Sequence, residues 1–259
     1  MPIGVFDSGV GGLTVLQALR RRMPGQDFIY VGDTARVPYG RKPREMVEQF
    51  AREIARFLVR QDVSGIVIAC NTASAAALPQ LSDELPVPVW GVIEPGVEAA
   101  RRAAPNGRIG IIATAGTIRA AAYQRKFKAL GIEVWAQACP MFVHLVEEGL
   151  ADSPEAELLA RHYLETRPEL DALILACTHY PLLKPVLSRV LGAQVHLVDS
   201  AEVTAEVVGH AVSPTTPPGH GRITHYVTGD VVAYRHTATV IGGVDGEIVP
   251  LLESTLCAA

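Results

Sequence analysis

The sequence predicts an α/β fold in which two similar domains, each built on a mostly parallel sheet, face each other across a central cleft. Three observations carry this. Short apolar runs alternate with amphipathic helical stretches from the first residues onward. The alternation begins afresh near residue 108. Each half also holds a buried run that ends in a cysteine followed by small polar residues: Ile68-Ala69-Cys70-Asn71-Thr72 in one, Leu175-Ala176-Cys177-Thr178-His179 in the other.

Taken in order, Ile3–Phe6 reads as a strand, a glycine turn follows, and Leu13–Leu19 reads as a helix. The tight cluster Arg20, Arg21, Arg22 then suits a solvated last turn that complements the helix dipole. Phe28–Val31 is the next strand, and 43–61 an amphipathic helix opened by Pro43. Gly65–Cys70 is a buried strand, a helix begins near Thr72, and Val87–Ile93 is extended. In the second half Arg108–Thr114 is a strand, 117–129 a helix, Ile132–Ala136 a strand and 153–165 a helix. Ala172–Cys177 and Val195–Asp199 are further strands. Ser213–Gly219 reads as a loop or linker, Arg222–Thr228 as a strand, and the remainder as irregular structure.

Composition narrows the function classes. With 49% hydrophobic residues in 259, a well-filled core is expected and disorder is not. A formal charge of −4 and no basic patch argue against a nucleic-acid partner. No apolar run reaches the roughly 20 residues that span a bilayer, and the N-terminus lacks a signal-peptide pattern. The four cysteines, at 70, 139, 177 and 257, form no C-x-x-C pair. A cytoplasmic protein with reduced thiols is therefore expected, with no membrane partner.

In open α/β sheets ligands bind at the carboxyl ends of strands, so Cys70 and Cys177 would approach one cleft from opposite walls. A single strand-end cysteine is commonly packing, which is the reading for Cys139 and Cys257; two in matched polar settings ask for chemistry. Structural zinc wants four ligands in local pairs, so no metal is expected. A thiol with a pKa of roughly 8.5 sits near enough to neutrality to act as base in one direction and acid in the other. Thiols on opposite faces of a bound carbon suit inversion of a stereocentre. Each needs a neighbour to take up its proton, and Asp7 and His179 are the candidates. Asn71, Thr72 and Thr178 are candidate donors to charge developing on a carboxylate. The loop Asp7–Gly12 between a strand and a helix suits a small anion, although it is not a dinucleotide fingerprint because position 14 is threonine. The segment 37–40 is a turn placed to close over the cleft. A decarboxylase using one cysteine, an aspartate racemase, and a binding module without chemistry remain as alternatives. Lys42, Lys126, Lys128 and Lys184 are the only lysines, and none falls at a strand end where a Schiff-base cofactor would sit.

These motifs, together with Pro38-Tyr39-Gly40, Gly91–Pro95, Ala113–Thr117, Ala138-Cys139-Pro140, Leu145–Gly149 and Asp199-Ser200, resemble the bacterial glutamate racemases along nearly the whole chain. The resemblance implies two flavodoxin-like domains, interconversion of L- and D-glutamate without a cofactor, supply of D-glutamate for peptidoglycan, and a homodimer. It implies that Cys70 and Cys177 are the acid–base pair, with Asp7, His179 and Glu147 assisting. It implies substrate contacts from Asp7, Ser8, Tyr39, Gly40, Asn71, Thr72, Thr178 and His179, with Thr114 and Thr117 as similar contacts from the second domain. Related aspartate racemases carry an acid where His179 stands, which favours glutamate. The first domain is expected to take residues 1–93 and 210–259, the second 94–209. The chain departs from the pattern at His144, where proline is expected, and after residue 210; both departures are expected to affect packing and partner contacts rather than the reaction.

Overall fold

The computed structural model describes residues 1–212 and 221–257; the linker expected at 213–219 and the side chain of Cys257 lie outside the described residues. One sheet has six parallel strands. Its centre is β1 (Ile3–Asp7), flanked by β2 (Phe28–Gly32) and β3 (Ile66–Ile68), with β4 (Val89–Gly91) beyond β3. Between these strands run α1 (Leu13–Arg22), α2 (Arg44–Arg60) and α3 (Asn71–Glu84). After β4 the chain forms α4 (Ile93–Ala103) and enters a second, four-stranded parallel sheet. There β5 (Ile109–Ala113) lies between β6 (Val134–Ala138) and β7 (Ala172–Ala176), with β8 (His196–Asp199) beyond β7. Its helices are α5 (Ala115–Ala120), α6 (Ala122–Ala129), α7 (Met141–Glu147), α8 (Pro154–Leu164) and α9 (Lys184–Leu191). Helix α10 (Ser200–Ala211) then packs along α1, and β9 (Ile223–Val227) joins the first sheet beside β2. The chain ends with α11 (Val231–Ile241), β10 (Glu247–Pro250) paired to β9, and α12 (Glu253–Cys257).

The orders β2-β1-β3-β4 and β6-β5-β7-β8 are the same arrangement twice. Cys70 follows β3 and Cys177 follows β7, the corresponding strands, so the repeated sequence device reflects a repeated topology. Strands β1, β5 and β7 are buried at every residue because helices cover both faces of each sheet. Side-chain alternation sorts the first sheet: Phe6, Val31 and Ile68 face α2 and α3, whereas Ile3, Val5, Phe28 and Tyr30 face α1. The α1 side runs without a break into the face of the second sheet carrying Leu173 and Leu175, under α7 to α9. One continuous core therefore holds the two sheets together and fixes how their strand ends meet.

Several expectations change. The run 87–93, expected to be extended throughout, is a strand only over Val89–Gly91; Ile93 begins α4, whose buried face Ile93, Val97 and Ala100 recurs at helical spacing. Pro95 is no obstacle there, since the first turn needs no amide donor from it. The single helix expected over 117–129 is two, broken at Ala121, which is left-handed with φ of 50°. The tail expected to be irregular after 228 carries α11, β10 and α12. Asp230 opens α11 by accepting from the Ala233 amide at 2.6 Å, and Gly242 closes it at positive φ. The β-branched run inside α11 hides these stop signals from a periodicity reading. No helix among the described residues is long and apolar enough to cross a membrane.

Candidate active site

The first wall is built where β1 and β3 end side by side. Beyond Ile68, Cys70 is the N-cap of α3, and its sulfur accepts from the Ala73 amide at 3.4 Å while the thiol points to Ser8 Oγ at 3.7 Å. Ser74, in the first turn of α3, is structural: its hydroxyl donates to the Ile68 carbonyl at 2.9 Å. Asp7 ends β1 fully buried and accepts from the Gly9 amide at 3.0 Å. Burial, with the Asp7 charge beside it, pushes the Cys70 thiol up to about 12, against the smaller opposing pull of the Ala73 amide and Ser8. Burial likewise raises the Asp7 carboxyl, more than the nearby His179 and the backbone donors lower it. Without a ligand, Cys70 is a protonated thiol at neutral pH.

The second wall follows β7. Cys177 Sγ lies 3.8 Å from His179 Nδ1, and His179 Nε2 lies 2.9 Å from Glu147 Oε1 on α7. Burial pulls the imidazole pKa down, but the hydrogen bonds to Cys177 and Glu147 and their charges push it up further, to about 10. Cys177, His179 and Glu147 thus form a hydrogen-bonded row that runs from a buried thiol to a half-exposed carboxylate. Thr178 ties this wall to the first one: its carbonyl accepts from Thr14 Oγ1 at 2.8 Å, and its hydroxyl is 3.5 Å from Asp7 Oδ1. Cys139 stays a packing residue, fully buried, with its carbonyl accepting from Tyr180 OH at 2.7 Å.

Between the walls is a cavity of about 160 Å³ lined by both cysteines. That is below the roughly 300–1,000 Å³ of drug-sized sites and suits a small metabolite. Of the expected residues, Ser8, Tyr39, Gly40, Asn71, Thr72, Thr114, Glu147, Thr178 and His179 also line it. Asp7 and Thr117 do not; they stand behind the lining, Asp7 beneath Thr178 and Thr117 bonded to Thr72 and Thr114 at 3.2 and 3.1 Å. Tyr39 lines the cavity but spends its hydroxyl on Asp33. Tyr123 OH donates to Asn71 Oδ1 at 2.7 Å, which leaves Asn71 Nδ2 buried without a partner, a donor held ready for an acceptor.

Two expectations are corrected. In the glycine loop several amides are already engaged. Gly9 N is taken by Asp7, the Leu13, Thr14 and Leu16 amides bond within the turn, and only Ser8 and Gly9 reach the cavity. Gly11 and Gly12 instead allow close approach, to Thr178 and His179 and to Asp7 respectively. His144, expected to bear on packing and partner contacts rather than on the reaction, lines the cavity with Val143 and Glu147 on one face of α7. Val37 and Pro38 line the cavity as part of the 37–40 turn expected to close over the cleft, whereas Val143 of α7 lines it without having been expected. Among the described residues no group of three or more His, Cys, Asp or Glu is placed to hold a metal ion. Larger grooves, of about 560 and 480 Å³, lie open against Arg20 and Asp245, away from both cysteines.

A family model described as Asp/Glu/Hydantoin racemase matches residues 8–208. The chain belongs to that family. Within this racemase family, a glutamate racemase of Thermus thermophilus is 56% identical over 245 residues, 93% of this chain and 92% of the relative. The crystal structure of glutamate racemase from Thermus thermophilus in complex with β-chloro-D-alanine superposes with a TM-score of 0.92 at 53% identity, covering 98% of each chain. That of the Francisella tularensis enzyme in complex with D-glutamate gives 0.88 at 34%, covering 97% of this chain and 96% of the other. The likeness extends over both sheets.

Proposed function

We propose that this chain interconverts L- and D-glutamate by two-thiol proton transfer at Cα, without a cofactor, and so supplies D-glutamate for peptidoglycan. The observation that carries the reading is the pair of thiols, at equivalent strand ends, lining one small cavity from opposite sides. The glutamate racemases to which the chain is similar supply the substrate.

One thiolate takes the Cα proton, and the opposite thiol gives its own proton to the other face. The product carries the inverted configuration, and the two sulfurs have exchanged protonation states. Asp7 serves Cys70, and His179 with Glu147 serves Cys177. Burial holds the Cys70 thiol up at about 12, and the substrate ammonium beside it supplies an opposite charge that favours the thiolate. Negative charge developing on the α-carboxylate is met by Asn71 Nδ2 and the Thr72 and Thr114 hydroxyls, in a site closed to bulk water. No lysine is among the residues that line the cavity, so a Schiff-base route has no anchor there.

Assignment of Ser8, Tyr39, Gly40, Thr178 and His179 to substrate contacts, and of Thr117 and Asp7 to support behind them, belongs to this proposal. So do the division into residues 1–93 with 210–259 and 94–209, a homodimer, and a cytoplasmic location in which Cys70, Cys139 and Cys177 stay free. The test follows L-glutamate in D₂O with no added cofactor, by circular dichroism for inversion and NMR for the α-proton. Inversion with deuterium in the product is expected. No exchange with glutamate, with aspartate run in parallel, would refute the substrate assignment.

The His179–Glu147 pair gives a pH prediction. A group whose pKa is raised on folding, here from 6.5 to about 10, stabilises the fold fully below 6.5, and that stabilisation is lost as pH rises through about 10. Glu147→Gln removes one of the charges holding the imidazolium. Its stability should begin to fall at lower pH, and the alkaline limb of its pH–rate profile should move down by about one unit. Urea titrations and initial rates between pH 6 and about 10.5 check both; coincident limbs for the two proteins would separate Glu147 from the proton path.

A further inference from the structure

The wall formed by Tyr39 and Gly40 is pinned from both sides, in different ways. On the side of the first sheet the attachment is buried and ionic. Tyr39 OH bonds to Asp33, which also accepts from Arg36 Nε at 2.9 and 2.7 Å and from Thr228 Oγ1 at 2.8 Å. On the side of the second sheet, Arg119 of α5 donates from Nη2 to the Gly40 carbonyl at 3.1 Å, and its side chain is exposed. The two segments touch there. A Cβ added to Gly116 would lie 2.9 Å from the Gly40 carbonyl oxygen and 3.1 Å from its Cα, so no side chain fits between them. Of the other bonds between the walls, Thr14 to Thr178 at 2.8 Å, Tyr123 to Asn71 at 2.7 Å and Thr72 to Thr117 at 3.2 Å are buried, and Thr72 to Thr114 at 2.9 Å is part-buried, so the Arg119 bond is the exposed one among them. A cavity of about 160 Å³ held by such contacts must open to exchange its contents, and opening starts where water can replace a bond at least cost.

We propose that Arg119 is a positioning residue that holds the cleft closed by clasping the Gly40 carbonyl across it, and that substrate enters and leaves when this bond is broken. The passage of substrate rests on the function proposed above; the closure itself does not.

The test compares the full chain with Arg119→Ala and Arg119→Lys. The rate of iodoacetamide alkylation at Cys70, Cys177 and Cys139 is read by peptide mass in the absence of substrate, with thermal midpoints and the kcat and KM for both glutamate enantiomers alongside. Loss of one exposed charge-assisted bond should raise the open fraction, and with it alkylation of Cys70 and Cys177, by about three- to tenfold. KM should rise by a similar factor for both enantiomers, with kcat within about twofold. Arg119→Lys, which keeps the charge on a shorter fork, should fall between. Cys139, fully buried and absent from the cavity lining, is the internal control and should not change. Unchanged alkylation of Cys70 and Cys177 in Arg119→Ala would overturn the clasp. So would equal acceleration at Cys139 with a lowered midpoint, which means general loosening, and so would an unchanged KM. Faster alkylation in a protein that does not turn over glutamate leaves the closure standing and removes the function proposed above.

Discussion

Cys70→Ser and Cys177→Ser are each expected to lose inversion of glutamate by at least about 10³-fold, because a serine hydroxyl cannot serve as either the base or the matched acid. Glutamate binding should survive in both. The cavity-lining polar groups of Asn71, Thr72, Thr114 and Ser8 are left in place by either substitution, and neither sulfur anchors its own backbone beyond the Ala73 amide that caps α3. The remaining thiol still faces one side of Cα. Each variant should therefore wash deuterium into one enantiomer only, and the two variants should choose opposite enantiomers. Isothermal titration measures the binding, and NMR in D₂O the exchange. Loss of binding in both variants with the fold intact would make the thiols substrate ligands; exchange of the same enantiomer by both would place them on one face of the carbon.

Gly11→Ala should be nearly as damaging although residue 11 touches no substrate. A Cβ there would lie 2.5 Å from His179 Nδ1 and would also collide with His179 Cε1 and Thr178 Oγ1. His179 is held by Glu147 at 2.9 Å, and the Thr178 hydroxyl lies 3.5 Å from Asp7 Oδ1 while its backbone is fixed by Thr14 at 2.8 Å, so relief of the clash must disturb one of these contacts. Overpacking of this kind costs about 1–3 kcal/mol of stability. Moving His179 from Cys177 by even part of an ångström should cost about 10²-fold in kcat. Chemical denaturation and steady-state rates test both. Full activity in a stable Gly11→Ala protein would show that His179 is not needed where it stands.

The same glycine shows how the sequence was legible in part. Gly9, Gly11 and Gly12 stand between a strand and a helix, and that context favours an anion cradle; the helix amides prove to be engaged, and two of the three glycines exist so that Asp7, Thr178 and His179 can come close. Helix α10 tells a similar story. Asp199 caps it by accepting from the Ala201 amide at 2.8 Å, a signal present in the sequence, yet the apolar run before it drew attention to the strand alone. Ala121 gave no signal at all, because alanine rarely adopts the left-handed conformation that divides α5 from α6.

What the sequence determined by itself is what lies within a few residues along the chain. It specified the buried strands, a cysteine within two residues of the ends of β3 and β7, and His179 two residues from Cys177. Strand periodicity and caps are properties of contiguous residues, so these features are written where they act. Only the tertiary structure decided which residues from distant segments complete each wall. Glu147 reaches His179 from α7, His144 and Val143 line the cavity, Asp7 and Thr117 stand behind it, and Arg119 meets Gly40 across it. Those meetings depend on how two sheets are set by the continuous core between them, and no local pattern encodes that angle.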